Sequence, residues 1–209
     1  MRSARSRMLR EGFADHDGRT LESRRKHGYF VGVMIDDVAT LFKLAGNQGR
    51  PDDWNDYFDP IGLILQIPPK REDYWCTPLN ALTFARTGGD GTHYSLVSVS
   101  TSRRSDQVVV MTVPMSDTPN VIVGENLRDF LALGSRFGYF ALEGLVHEPD
   151  ETIAALRRRK YDEEWTAREI GMLKLIERTF RLKPWTDPRK RLAELERRFY
   201  AKLKLPPPI

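Results

Sequence analysis

Gln107 to Val113 contains Val108, Val109, Val110, Met111 and Val113, so an extended chain here offers apolar side chains to both of its faces. Successive side chains of a strand point to opposite sides. A run of this kind therefore belongs well inside a sheet that is covered twice. The remaining sequence must supply both the partner strands and the covering layers.

Candidates for the partners are close by. Gly62-Leu63-Ile64-Leu65-Gln66-Ile67 is a short apolar run stopped by Pro68-Pro69, which predicts a buried strand. Ala81 to Arg86 and Thr92 to Ser100 flank Thr87-Gly88-Gly89-Asp90-Gly91, which predicts two strands joined by a tight turn. Ser105-Asp106 would turn the chain into the valine run, and Asn120 to Val123 reads as a further short strand. Tyr29 to Ile35 is also rich in strand formers.

Helical periodicity supplies the cover. Val38, Leu41, Phe42 and Ala45 form one apolar stripe, with Asp36 or Asp37 as N-cap and Gly46 as the residue that ends the helix. After Asn120 the period becomes helical almost throughout. Leu127, Phe130, Leu131 and Leu133 form one segment ending at Gly134, and Phe137 to Val146 forms another. Pro149-Asp150-Glu151 opens a third, with Arg157 to Lys160 at its basic end. Trp165, Met172, Ile176 and Phe180 mark a fourth; a fifth starts at Asp187-Pro188 and carries Leu192, Leu195, Phe199 and Leu203. Strands first and helices after is the α+β pattern: a small mixed or antiparallel sheet packed by helices, with a C-terminal helical hairpin. The expected organisation is a disordered basic tail over residues 1–27, an α+β core domain over 28–160 and a helical extension over 161–209.

Charge is distributed unevenly. The formal net charge is +4, yet residues 31–180 carry sixteen basic and twenty-two acidic side chains, so the basicity lies at the two ends. Such ends attract phosphate when a stacking platform accompanies them; without one, a charge run is ordinarily a solvated face. On the last helix Glu194 and Glu196 interrupt the stripe of Arg189, Lys190, Arg191, Arg197, Arg198, Lys202 and Lys204. Nucleic-acid binding through these ends stays open as an alternative. The single cysteine, Cys76, excludes an internal disulfide or a multi-thiolate zinc site and fits a cytoplasmic, reducing setting. No apolar run reaches the roughly 18 residues of a membrane span. Met1 to Arg10 lacks the apolar centre of a secretory signal.

The usual chemical signatures are missing. No Gly-Lys pair offers a phosphate loop, Tyr94 stands where Gly89-Asp90-Gly91 would need its third glycine, and no serine sits in G-x-S-x-G. His16, His27, His93 and His147 never stand at metal-ligand spacing. A calcium frame begun at Asp53 puts Phe58 and Ile64 where glycine and glutamate belong. No cofactor, metal or catalytic set is therefore expected. Asp90 and His93 could still pair as acid and base in a cleft, which keeps a hydrolase or transferase as an alternative. The most distinctive composition is Pro51 to Pro60, where aspartates alternate with aromatics. It reads either as a surface turn whose aromatics cover the core edge or as an acidic patch for a basic protein. In the second reading the contact residues are Asp53, Trp54, Asp56, Tyr57 and Asp59, with Phe58 as a further anchor and Asp90 on the glycine turn nearby.

Pro78-Leu79-Asn80-Ala81-Leu82-Thr83-Phe84-Ala85-Arg86 leading to the glycine-aspartate turn, then Val121-Ile122-Val123-Gly124 leading to Leu127-Arg128-Asp129-Phe130-Leu131, resembles the SUKH superfamily of bacterial immunity and interaction domains. The likeness covers residues 78–145, about a third of the chain; the C-terminal helices are an addition to it. The resemblance implies a non-enzymatic α+β domain that binds another protein, in many relatives a toxic nuclease.

Overall fold

The computed structural model describes residues 36–50, 52–99, 107–161 and 163–207. The tail expected over 1–27, the stretch Tyr29 to Ile35 and the Ser105-Asp106 turn lie outside the described residues. Helix α1, Asp36–Gln48, buries Val38, Leu41, Phe42 and Ala45, the stripe that its spacing requires. It runs through Gly46, the residue expected to end it. Gly46 does not take up the left-handed conformation that stops a helix.

Five strands follow: β1, Ile64–Lys70; β2, Ala81–Arg86; β3, His93–Ser98; β4, Gln107–Thr112; and β5, Asn120–Gly124. They pair in sequence order and are antiparallel throughout, so the fold is α+β with an antiparallel sheet. Every residue of β4 is buried, as its two-sided apolar pattern demands. β1 does not stop at the prolines. Its partners step from Leu65↔Ala85 to Lys70↔Thr83, so residues 66–69 bulge out of the ladder. Proline lacks an amide donor, and at a bulged sheet edge no partner needs one.

Helix α2, Leu127–Gly134, closes one face of the sheet. Its N-cap, Asn126, accepts from the Asp129 amide at 2.9 Å. Phe130 then reaches Phe84, Tyr94 and Tyr139, with ring centres 5.9, 4.7 and 5.2 Å away. The other face is buried too, and on it Val97, Val108 and Val110 share the space with a row of polar groups. Thr83 and Ser95 share a hydrogen bond of 2.7 Å, and Thr112 donates to Asn120 Oδ1 at 2.8 Å. Asn120 in turn donates to the carbonyl of Cys76 at 3.0 Å, so the connection between β1 and β2 lies over this face. Pairing of these buried groups is what makes a polar layer tolerable there.

Phe137 to Val146 is not one helix. It divides into a 3-10 turn, Phe140–Glu143, and a short helix α3, Gly144–His147. Three longer helices follow: α4, Pro149–Arg158; α5, Ala167–Phe180; and α6, Pro188–Phe199. α5 opens with a capping box between Thr166 and Glu169, and Asp187 caps α6 by accepting from the Lys190 amide at 3.2 Å. Both C-terminal helices turn their apolar sides towards other parts of the domain, α5 to α2 and α6 to β5 and α4. Ion pairs fasten α6. Arg191 reaches Glu125 at 2.7 Å and Asp129 at 2.9 Å, and Arg198 reaches Glu125 at 2.6 Å. Among the described residues no helix is long and apolar enough to cross a membrane.

Candidate functional site

The β2–β3 turn is shaped by its glycines. The Thr92 amide donates to the Gly89 carbonyl at 3.2 Å, with Asp90 at φ 33° and Gly91 at φ 75° between them. Positive φ at both central positions matches the right-handed twist of the flanking strands, and aspartate is one of the few residues besides glycine that enters this region readily. The Asp90 side chain is left exposed at the tip. A Cβ on Gly91 would lie 2.5 Å from the Tyr74 hydroxyl, so the missing side chain makes room for Tyr74.

Tyr74 stacks on His93, with ring centres 5.6 Å apart and planes 19° from parallel. His93 is buried. Its Nδ1 lies 2.7 Å from the Gly91 carbonyl and its Nε2 lies 3.1 Å from the Thr77 hydroxyl. A carbonyl only accepts, which places the proton on Nδ1 and makes Nε2 the acceptor from Thr77. Burial holds the imidazole pKa below its ordinary value, partly opposed by the Gly91 carbonyl and the charge of Glu72. With both nitrogens satisfied, this ring is built to support the turn.

A cleft of about 370 Å³ lies beside the turn, walled by Ile64, Glu72, Tyr74, Arg86, Asp90 and His93 with the intervening glycines. Arg86 also borders a second cleft, of about 500 Å³, against β1, where Trp54, Leu65, Ile67, Pro68 and Lys70 line the wall. Arg86 thus stands between one hollow that carries Glu72 and Asp90 and another that carries Trp54 and Lys70.

The aspartate-rich loop forms two 3-10 turns, Trp54–Asp56 and Asp59–Ile61. Its aromatics do cover the core edge. Trp54 meets Phe42 edge-on at 6.5 Å, and half-buried Tyr57 meets Phe58 at 4.9 Å. Phe58 is fully buried, so it cannot anchor a partner as the sequence suggested: it pairs with Leu63 and fills the core. Asp53, Asp56 and Asp59 are exposed. A Cβ placed on Gly88 would lie 4.0 Å from Asp59 Oδ1 and 2.7 Å from Ile64 Cδ1. The fold thereby brings Asp59 against the turn that bears Asp90. Trp54 lies on the neighbouring cleft, with Asp53 before it as the N-cap of the 3-10 turn and Asp56 at the end of that turn. Among the described residues no group of three or more His, Cys, Asp or Glu side chains is placed to hold a metal ion.

Sequence reasoning missed Glu72, Tyr74, Arg86, Phe140 and Glu143. Glu143 accepts from the Thr92 hydroxyl at 3.3 Å, which ties the Phe140–Glu143 turn to the β2–β3 turn. Only Arg86 carried a local signal, as the charged last residue of a strand running into a glycine turn. The others arrive through connections whose course no spacing records. No protein-family model, curated protein or solved structure matches this chain.

Proposed function

We propose that this chain is a non-catalytic protein-binding module of the SUKH immunity type, which takes a basic protein, such as a toxic nuclease, on the acidic end of its sheet. The observation that carries this reading is the approach of Asp59 to the Asp90 turn, with Asp53 and Asp56 in the adjoining loop. Complementary charge of this kind raises association rate and partner selectivity more than raw affinity. The proline-led β2, the glycine-aspartate turn and the valine-rich β5 running into α2 follow the order of the family resemblance. A cytoplasmic setting suits the one thiol, Cys76, which is buried and free. Nucleic-acid binding by the C-terminal helix is disfavoured because Arg189, Arg191 and Arg198 pair with Asp150, Glu125, Asp129 and Glu194.

The test is affinity isolation from the source cells with the wild-type chain and with a D53N/D56N/D59N/D90N variant. A basic partner retained by the wild type and lost by the variant is the expected result. Equal retention by both overturns the reading. The cleft that Asp90 and His93 both line favours a second reading, a hydrolase or transferase. That reading requires a turnover that His93→Ala abolishes while the fold survives.

A further inference from the structure

Tyr139 and Phe140 are neighbours with opposite fates. Tyr139 is fully buried: its hydroxyl donates to the Leu131 carbonyl at 3.0 Å, and Tyr94 donates to its backbone carbonyl. Its amide donates to the Ile61 carbonyl at 2.8 Å. The chain then enters a 3-10 turn, in which side chains three apart eclipse one another. Tyr139 and Leu142 therefore point inwards together, and both are fully buried, while Phe140 and Glu143 share the outward side. Phe140 is 53% exposed. Its backbone is closely packed, because it lies against Gly62, where a Cβ would come within 2.1 Å of the Phe140 nitrogen.

Carboxylates stand on the segments that adjoin this turn. Glu143 follows it on the same side of the turn. Asp59 begins the turn that Gly62 ends, and it lies against the Asp90 hairpin. An exposed aromatic on a packed backbone with a polar rim has the anatomy of an interface hot spot: the apolar centre supplies most of the binding energy and the rim excludes water and selects charge. Resting on the binding-module reading, we infer that Phe140 is the apolar centre of the partner contact. The occupant it fits is a basic segment of another protein that sets an aliphatic or aromatic side chain on the ring and lysines or arginines against Asp59, Asp90 and Glu143. Nucleic acid and anionic lipid would be repelled by the same carboxylates.

The probe is a phage-displayed library of random dodecapeptides selected on the full chain, followed by affinity measurement on synthesised peptides. The expected peptides combine several Lys or Arg with an apolar residue. They lose about thirtyfold in affinity on Phe140→Ala, the size of loss expected of a hot-spot side chain. They weaken less on D59N/E143Q and are unchanged on Trp75→Ala, a similarly exposed ring (49%) outside the site. Urea midpoints near wild type show that the variants are folded. Basic peptides that ignore Phe140→Ala but are lost on D53N/D56N/D59N/D90N overturn this inference and leave the acidic binding face standing. Selection of acidic or uncharged peptides, or no enrichment over a bare support, removes both.

Discussion

Replacing Gly62 by alanine tests the physical basis of this surface. Gly62 has φ 83° and ψ 29°, the left-handed region, which costs an L-residue about 1–2 kcal/mol. An added methyl would lie 2.1 Å from the Phe140 nitrogen and 2.7 Å from its Cα. Those are backbone atoms, so no side chain can rotate away. The 139–140 segment would have to retreat, which adds about 1–3 kcal/mol of overpacking strain. The retreat also breaks the Tyr139–Ile61 hydrogen bond, worth about 1 kcal/mol. Together these give a loss of about 3–6 kcal/mol, against the roughly 5–15 kcal/mol that holds a typical domain folded. Urea unfolding followed by tryptophan fluorescence measures the difference. Gly89→Ala is the matched control: its Cβ would meet nothing within 4 Å and its φ is not positive, so a change within about 0.5 kcal/mol is expected. A Gly62→Ala variant less than about 1 kcal/mol below wild type would refute the reasoning, because Phe140 would then rest on a segment that moves freely.

Tyr139→Phe removes one buried hydroxyl and its bond to Leu131, and should cost about 0.5–1.5 kcal/mol in the same urea assay. Hydrogen bonds from Arg198, then Arg191, hold the Glu125 carboxyl below its ordinary pKa of 4.5, against the opposing effect of burial. Its folded value being the lower one, Glu125 stabilises the fold above pH 4.5 and loses that contribution as pH falls through the folded value. Urea midpoints taken from pH 7 downwards should therefore drop less steeply for Glu125→Gln than for wild type. His93 carries the opposite charge change but the same direction: its lowered pKa means that the unfolded chain binds the proton first. Stability from His93 is present above pH 6.5 and declines below it towards the folded value. Nitrogen-15 spectra should show a neutral ring protonated on Nδ1 at pH 6.5, and a charged ring at that pH would contradict the Thr77–His93–Gly91 arrangement.

The features that were readable in the sequence are those fixed locally. Asp187-Pro188 specifies a helix start because the cap and the preset φ both act within one turn, and the structure places the cap there. The valine run specifies a doubly covered strand because alternation alone decides it. Phe140 was hidden by a period. On a 3.6-residue helix from Phe137 to Val146, Phe137, Phe140, Ala141 and Gly144 share one face. The 3-10 turn resets the repeat to three and swings Phe140 outwards, leaving Tyr139 and Leu142 inside. β1 was cut short for a related reason. Prolines end a strand only where the ladder needs their amides, and the bulge over residues 66–69 removes that need. Glu72, Tyr74 and Arg86 meet only because the connection after β1 folds back over the sheet, which leaves no mark in residue spacing.

Charge shows the same difference between sequence and fold. The acidic excess of the central segment divides in two once partners are assigned. Glu125 and Asp129 are neutralised by Arg191, with Arg198 also on Glu125, and Asp150 pairs with Arg189. Asp52, Asp53, Asp56, Asp59 and Asp90 make no ion pair among the described residues. Those five carboxylates lie in the loop and the turn that adjoin the Phe140 segment, while Arg189, Arg191 and Arg198 of the C-terminal helix are held by carboxylates of their own domain. These two ingredients act on different rates. Exposed carboxylates would steer the proposed basic partner in and set the association rate, screened within a Debye length of about 8 Å at physiological ionic strength. A packed aromatic acts after docking and sets the dissociation rate. For one and the same partner, removing the aspartates should slow association and flatten its salt dependence, whereas removing the Phe140 ring should hasten release with the salt dependence intact. If removing the aspartates left the association rate and its salt dependence unchanged, the carboxylates would not be what steers the partner in.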